Sequence, residues 1–319
     1  MTEDETAVNP DIRPGLCRIC SAFCPILVHV EEGRAVKVTG DPNAPLYEGY
    51  TCPKGRALPE MHHGSTRLLN SLKRQEDGSF APISSTQAMD EVAARLQAII
   101  TEHGPRSVAL HFGTGMLTFI PNISVLSAFM QAIKSPMTFS IQSIDKPGTP
   151  LAKLLHGNWL GGFPLFEQAD SWLVVGMNPL ISKSIGFPGA NPGRRLTDAL
   201  KRGMKLIVLD PREHETSRRA HIHLKVRPGE DPAVLAAMIH VILAENRHDA
   251  AFVAENVTGI EELRAAVAPF TPAYAAERAG VDAADIVEAA RIFAASRFAG
   301  AGCGVGPSFS LTGTVSEYL

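Results

Sequence analysis

SWLVVGMNP, residues 171–179, is a short apolar run that stops on a glycine, and KLIVLDPR, residues 205–212, repeats the pattern and stops on an aspartate. From Trp172 to Val175 and from Leu206 to Leu209 no polar residue interrupts either run. A strand with one wet face alternates, whereas a strand buried on both faces reads as continuous Val, Leu and Ile, as in a parallel sheet. Working outward, Ser107–Phe112 runs into Gly113-Thr114-Gly115, and Ala299–Gly306 is a glycine-rich run. Helical periodicity separates these strands over Thr86–His103 (with Ser85 or Thr86 as its cap), Ile120–Lys134 and Pro192–Arg202. Beyond Asp231 the pattern is mostly helical, through Glu245, Glu261–Val267 and Asp282–Ser296. Short buried strands alternating with helices predict an α/β fold with a doubly wound, Rossmann-like parallel sheet.

The amino-terminal part is of another kind. Four of the chain's five cysteines, Cys17, Cys20, Cys24 and Cys52, fall in the first 52 positions, in a loop-rich stretch from Gly15 to about His63. One hairpin is legible there: Ile26–Val30, a turn at Glu31-Glu32-Gly33, and a return over Ala35–Thr39. So little apolar sequence holds itself together poorly, and a bound metal centre suits it. The spacing is Cys-x2-Cys-x3-Cys, 27 residues, then Cys-Pro. Three ligands from one loop and a fourth from a distant turn suit an iron–sulfur cluster. A closed four-cysteine zinc site is the competing reading, although zinc usually draws its ligands from two matched knuckles.

Composition narrows the function. The 319 residues are 45% hydrophobic and 20% charged with a formal net charge of −3. Basic residues come in pairs, such as Arg194–Arg195 and Arg218–Arg219, so a nucleic-acid partner is not expected. Met1–Pro10 is acidic, with neither a secretory signal pattern nor a twin arginine, and no stretch is apolar enough for a membrane span. Clustered thiols in a chain of this kind predict metal ligation in the cytoplasm.

Taken together, these motifs resemble the molybdopterin oxidoreductases, the family of formate dehydrogenases, nitrate reductases and dimethyl sulfoxide reductases. The resemblance rests on Gly15-Leu16-Cys17-Arg18-Ile19-Cys20, Cys24-Pro25, Glu32-Gly33-Arg34, Gly40-Asp41-Pro42 and Gly49-Tyr50-Thr51-Cys52-Pro53-Lys54-Gly55. It continues through Val175-Gly176-Met177-Asn178-Pro179, Leu209-Asp210-Pro211-Arg212 and Val226-Arg227-Pro228-Gly229-Glu230-Asp231, and Phe252–Ala295 fits the helical portion that follows. The resemblance implies a disordered lead over residues 1–13, a 4Fe-4S domain over 14–68 and a molybdopterin-binding α/β region over 69–319. It implies a 4Fe-4S cluster on the four cysteines and two molybdopterin guanine dinucleotides holding molybdenum or tungsten. Lys54 is implied to lie between cluster and pterin; Gly176, Asn178, Pro179, Asp210, Pro211, Arg212, Arg227, Gly229 and Asp231 are implied dinucleotide contacts. Asp231 has the plainer alternative of a helix N-cap.

The metal's own protein ligand is implied near Ser140–Asp145, where this sequence has no cysteine. Ser143 and Asp145 are the candidate oxygen donors, and Asp145 has the alternative of capping a helix that starts at Lys146–Pro147. Cys303 reads as a small buried hydrophobe, while His62, His63 and His156 read as structural or surface residues. Family members are longer, so this chain is expected to be a fragment, an unusual truncation, or one whose site a second polypeptide completes. The implied activity is two-electron redox chemistry on a small molecule, with an electron-transfer protein or subunit as partner. A non-catalytic electron-transfer or scaffold subunit is the alternative, and a zinc-stapled binding module survives only without the cluster.

Overall fold

A two-residue turn at Glu32 and Gly33, both at positive φ (48° and 77°), shapes the first sheet, since that turn has the twist a hairpin needs. Strands β1 (Asp11–Leu16), β2 (Pro25–Glu31) and β3 (Arg34–Gly40) form an antiparallel sheet in that order. The structure, a computed structural model, describes residues 11–157, 166–182 and 189–319. Asp11–Arg13, expected in a disordered lead, instead pair with Val28–Val30. The signal was hidden because β1 is an exposed edge strand with Pro14 inside it, a residue only an edge accepts. Met1–Pro10 lie outside the described residues.

Helices α1 (Pro53–Arg56) and α2 (Leu58–His63) close this module. A second hairpin follows, β4 (Ser71–Arg74) with β5 (Phe80–Ile83), closed by Gln75 N donating to Ser79 O at 2.9 Å. Helix α3 (Ser85–His103) follows, and its cap is Ser84, whose hydroxyl accepts from Gln87 N at 3.1 Å. Strand β6 is shorter than its apolar run, Leu110–Phe112, because Pro105–Ser107 forms a tight 3-10 turn. Helix α4 (Pro121–Ala132) then leads to β7 (Thr138–Ser140), parallel to β6. The chain divides into two compact units, Met1–Ile141 and Gln142–Leu319.

The second unit begins with α5 (Gln142–Asp145) and α6 (Gly148–His156). There follow β8 (Ser171–Val175), α7 (Pro179–Ser182), α8 (Pro192–Lys201), β9 (Lys205–Leu209) and β10 (Ile222–Leu224). Helices α9 (Asp231–Ala244), α10 (Ala250–Asn256), α11 (Ile260–Val267), α12 (Pro272–Ala279) and α13 (Ala283–Ala295) precede β11 (Ala299–Cys303) and α14 (Gly313–Tyr318). The four strands pair in parallel in the order β10-β9-β8-β11. Alternate residues serve opposite faces. Leu173, Val175, Ile207 and Leu209 pack with residues of α9, α12 and α13, while Trp172, Val174, Leu206 and Val208 pack with Leu196 and Ala199 of α8. Helices therefore cover both faces, the doubly wound arrangement that the continuous apolar runs predict. Gly300 makes room for Trp172: a Cβ there would lie 2.4 Å from the indole ring.

Candidate functional site

The cysteines are positioned by the first sheet. Cys17 follows β1, Cys24 precedes β2, and Cys17 N donates to Cys24 O at 2.8 Å, which closes the loop between them. Phe23 turns that loop at φ 47°, and the Tyr47 hydroxyl donates to Ala22 O across its base. Cys52 arrives from the other side as the residue capping α1. Cys17 and Cys24 are buried, and Cys20 and Cys52 are half-buried.

The four thiols feel one another. Burial pushes the Cys17 thiol above its ordinary range; an Ile19 backbone hydrogen bond opposes that, Cys52 and Cys20 add to it, and the Lys54 ammonium opposes it. Cys24 is pushed up to about 11 by burial, with Cys17, Cys20 and Cys52 adding to it. Tyr50 is pushed up to about 12 by burial, then by Cys52 and Cys24. A metal centre must therefore displace protons from these thiols when it binds. Among the described residues no three His, Cys, Asp or Glu side chains stand close enough to share one metal ion. A cluster that presents a separate iron to each thiolate does not require them to.

The donor set fits a cluster, and so does the cradle around it. Gly55 is buried, and a Cβ on it would sit 3.5 Å from Cys17 Sγ and 2.3 Å from Thr51 Oγ1. Lys54 is exposed beside this cradle. Arg18 anchors the loop: its Nε donates to Thr118 O at 2.7 Å and its guanidinium lies 4.0 Å from the centre of the Phe119 ring. Gly113-Thr114-Gly115 opens the 3-10 turn Thr114–Thr118 and makes a turn there, with no phosphate-type helix start.

In the second unit the candidate dinucleotide residues gather beyond the carboxyl ends of β8, β9 and β10. In an open parallel sheet, ligands bind outside those ends, where the strand order reverses. Here it reverses beside β8, with β9 on one side and β11 on the other. Gly176 has φ 57°, and a Cβ on it would lie 2.2 Å from the Pro307 ring. The chain after β11 closes over it, with Gly304 N donating to Val175 O at 2.8 Å and Gly306 N to Gly176 O at 3.2 Å.

Asn178 is held at both ends of its amide: Nδ2 donates to Glu215 at 2.6 Å and Oδ1 accepts from the Thr216 hydroxyl at 2.7 Å. Its carbonyl accepts from Ile181 N and Ser182 N at 3.0 and 2.8 Å, in the short helix α7 that Pro179 opens. Asp210 is buried, and its Oδ1 accepts from Arg212 N at 2.8 Å across Pro211. His214 Nε2 stands 3.4 Å from Asp210 Oδ2, while its Nδ1 accepts from Thr216 N and Ser217 N at 3.2 Å each. Two backbone donors at Nδ1 place the ring proton on Nε2, facing the carboxylate. Burial holds the His214 imidazole below its ordinary range against the pull of Asp210. The segment 214–217 thus braces Asn178 and Asp210 together.

Arg227 reaches the carboxyl end of α12, donating to Glu277 O and Arg278 O at 3.0 and 2.9 Å. Gly229 turns the chain at φ 91°, and Asp231 is the first residue of α9, not its cap, which is Glu230. Asp231 is buried, and burial pushes its carboxyl up. Ser143 is exposed on α5, and Asp145 is half-buried at its end; the cap of α6 is Pro147. Next to Asp145, Lys146 Nζ donates to Cys303 O at 2.6 Å and lies 3.8 Å from the buried Glu317 carboxylate. The Cys303 thiol is pushed up to about 12 by burial, and His156 stacks on Tyr318 at 4.5 Å.

Sequence reading missed Thr51, the His214–Ser217 brace and the lid over Gly176. Only His214-Glu215-Thr216 carried a signal, an unusual polar cluster straight after Asp-Pro-Arg.

Comparison with known proteins identifies the family. The family described as Molybdopterin oxidoreductase matches residues 67–302, and the Molybdopterin oxidoreductase Fe4S4 domain matches residues 12–64. The chain is 33% identical over 287 residues to the thiosulfate reductase molybdopterin-containing subunit of Salmonella typhimurium, covering 89% of this chain and 36% of that one. It is 30% identical over 300 residues to formate dehydrogenase H of Escherichia coli, covering 91% and 41%. Among solved structures, acetylene hydratase from Pelobacter acetylenicus matches with a TM-score of 0.81 and 28% identity, over 96% of this chain and 42% of that one. The chain spans about two fifths of the length of the curated relatives it matches.

Proposed function

This chain belongs to the molybdopterin oxidoreductase family, and from that premise we propose that it is the amino-terminal part of a molybdopterin-dependent catalytic subunit. It begins with an Fe4S4 domain. We assign the cluster ligands as Cys17, Cys20, Cys24 and Cys52, and the module as residues 14–68, with the α/β region over 69–319. The observation that carries the reading is geometric: Cys17 N donates to Cys24 O at 2.8 Å, closing the loop that holds Cys20, and the bare Gly55, three residues after Cys52, lies against Cys17 Sγ.

Bis-dinucleotide molybdenum or tungsten, when bound, supplies two-electron chemistry on a small molecule, while a cluster passes electrons singly. The chain's own residues bind and orient. Exposed Lys54 offsets negative charge beside the thiolates. Gly176, Asn178 and Pro179 after β8, Asp210, Pro211 and Arg212 after β9, and Gly229 and Asp231 at the start of α9 form the dinucleotide-binding edge. Arg227 sets the Gly229 turn by tying it to α12. Asp145 is the metal's oxygen donor and Ser143 the substitute, both carried on α5.

Among the described residues no helix is long and apolar enough to cross a membrane. The cytoplasm is the location we propose, where unpaired thiols persist. Relatives named as subunits include the thiosulfate reductase subunit and subunit alpha of an F420-dependent formate dehydrogenase from Methanocaldococcus jannaschii. An electron-transfer protein or subunit is accordingly the partner proposed here, with a second chain completing the cofactor site where the polypeptide itself does not.

Anaerobic metal analysis tests the reading. About four irons and about one molybdenum or tungsten per chain support it. One zinc without iron overturns the cluster assignment. Four irons without the heavier metal point to a fragment with an incomplete metal site or to the second reading, a non-catalytic electron-transfer subunit, which the absence of a cysteine in residues 140–145 favours.

A further inference from the structure

Among the described residues, two buried side-chain atoms of the cysteine module have no hydrogen-bond partner, Thr51 Oγ1 and His63 Nε2, and Thr51 is the one beside a cysteine sulfur. Thr51 is 4% exposed, and its Oγ1 has no hydrogen-bond partner. Its backbone is pinned, because Arg56 Nη1 donates to Thr51 O at 2.6 Å. A Cβ built on Gly55 would lie 2.3 Å from Thr51 Oγ1 but 3.7 Å from Thr51 Cβ. The hydroxyl is therefore the part of Thr51 that faces the glycine. Cys17 Sγ flanks the same point at 3.5 Å. Hydroxyl and sulfur thus share the space that a side chain at position 55 would fill.

Leaving a buried hydroxyl without an acceptor is costly, so such a group signals a partner that arrives later. A neutral thiol accepts weakly, whereas a metal-bound thiolate is charged and accepts well. We propose that the Thr51 hydroxyl donates a hydrogen bond to sulfur at the cluster site, the Cys17 thiolate or the cluster sulfur beside it, and so raises the cluster's reduction potential. The inference rests on the cluster reading above. Adding one electron makes the centre more negative, and a donor aimed at its sulfur stabilises that form more than the oxidised one. Thr51 keeps its proton throughout, so it acts as a positioning and tuning group and not as a catalytic residue.

The test is a dithionite titration of the purified chain, followed by electron paramagnetic resonance, for wild type, Thr51→Val and Thr51→Ser. Valine keeps the shape and removes the donor. Thr51→Val is expected to lower the reduction equilibrium constant about tenfold, roughly 59 mV for a one-electron couple. Thr51→Ser is expected to stay at the wild-type potential. A Thr51→Val protein that holds its cluster at the wild-type potential overturns the proposal and leaves the cluster reading intact. Wild-type protein with no four-iron signal overturns both. Should Thr51→Val lose iron, Thr51→Ala against Thr51→Ser carries the same comparison: equal potentials overturn the proposal, and a lower one for alanine supports it.

Discussion

In the cysteine module the buried core is Cys17, Ala22, Cys24, Ile26 and Val38, whereas strands β8 and β9 bury every residue except Lys205. Two of the five core positions in the first region are proposed cluster ligands, Cys17 and Cys24, and none of the proposed cluster ligands lies in the second. The sheet draws its stability from apolar side chains on both faces, each contributing about 1.5–3 kcal/mol when fully buried. The module has few such side chains and holds its loops by single contacts: Cys17 N to Cys24 O, Tyr47 to Ala22 O, Arg56 to Thr51 O. A region of the first kind depends on what it binds, and a region of the second kind does not.

The largest way to break this comparison is to remove a ligand. Cys24→Ser is expected to cost the chain most of its iron. Amide exchange over residues 17–55 should rise to nearly unprotected rates, while β8 and β9 stay protected. Equal loss of protection in both regions would show that the sheet also leans on the cluster. The converse change is Leu206→Ala in β9, at a side chain with no exposure. It is expected to cost about 2–5 kcal/mol through lost transfer energy and the cavity left behind, lowering the denaturant midpoint of the sheet. Iron content should remain that of the wild type; a fall in iron would mean the regions are not independent.

The smallest effect is a pH dependence confined to the sheet. Burial holds His214 and His221 below the ordinary imidazole range, and both accept backbone N–H bonds at Nδ1. The folded form therefore binds fewer protons than the unfolded chain. The stability these rings contribute is fully present above about pH 6.5 and declines as the pH falls below that value. Urea midpoints measured from pH 7.5 to 5 should decline for wild type and flatten for the His214→Gln, His221→Gln double variant. An equal decline in the variant would assign the effect to other groups.

How much of this was legible varied with the kind of residue. The runs at 172–175 and 206–209 announced buried parallel strands because burial on both faces leaves no polar position. The hairpin at Glu32-Gly33 was legible because its turn demands positive φ. Strand β1 was not, since an exposed edge strand needs no apolar pattern and tolerates Pro14. The β4–β5 hairpin was not legible for a similar reason, its faces being largely exposed.

The sequence by itself determined the four thiols, their three-plus-one spacing and the buried strands at 172–175 and 206–209 with the helices between and after them, because each is a local property of residue type and interval. It also placed Gly176, Asn178, Asp210 and Asp231 at strand ends or helix starts. Only the tertiary structure decided what those residues touch: that Asn178 is held by Glu215 and Thr216, that Asp210 faces His214, and that Gly304 and Gly306 bond over Gly176. It alone showed the Thr51 hydroxyl sharing a bare glycine with Cys17. The physical reason is range. Propensity and periodicity act over a few residues, whereas burial and hydrogen-bond partnership join positions that only folding brings together.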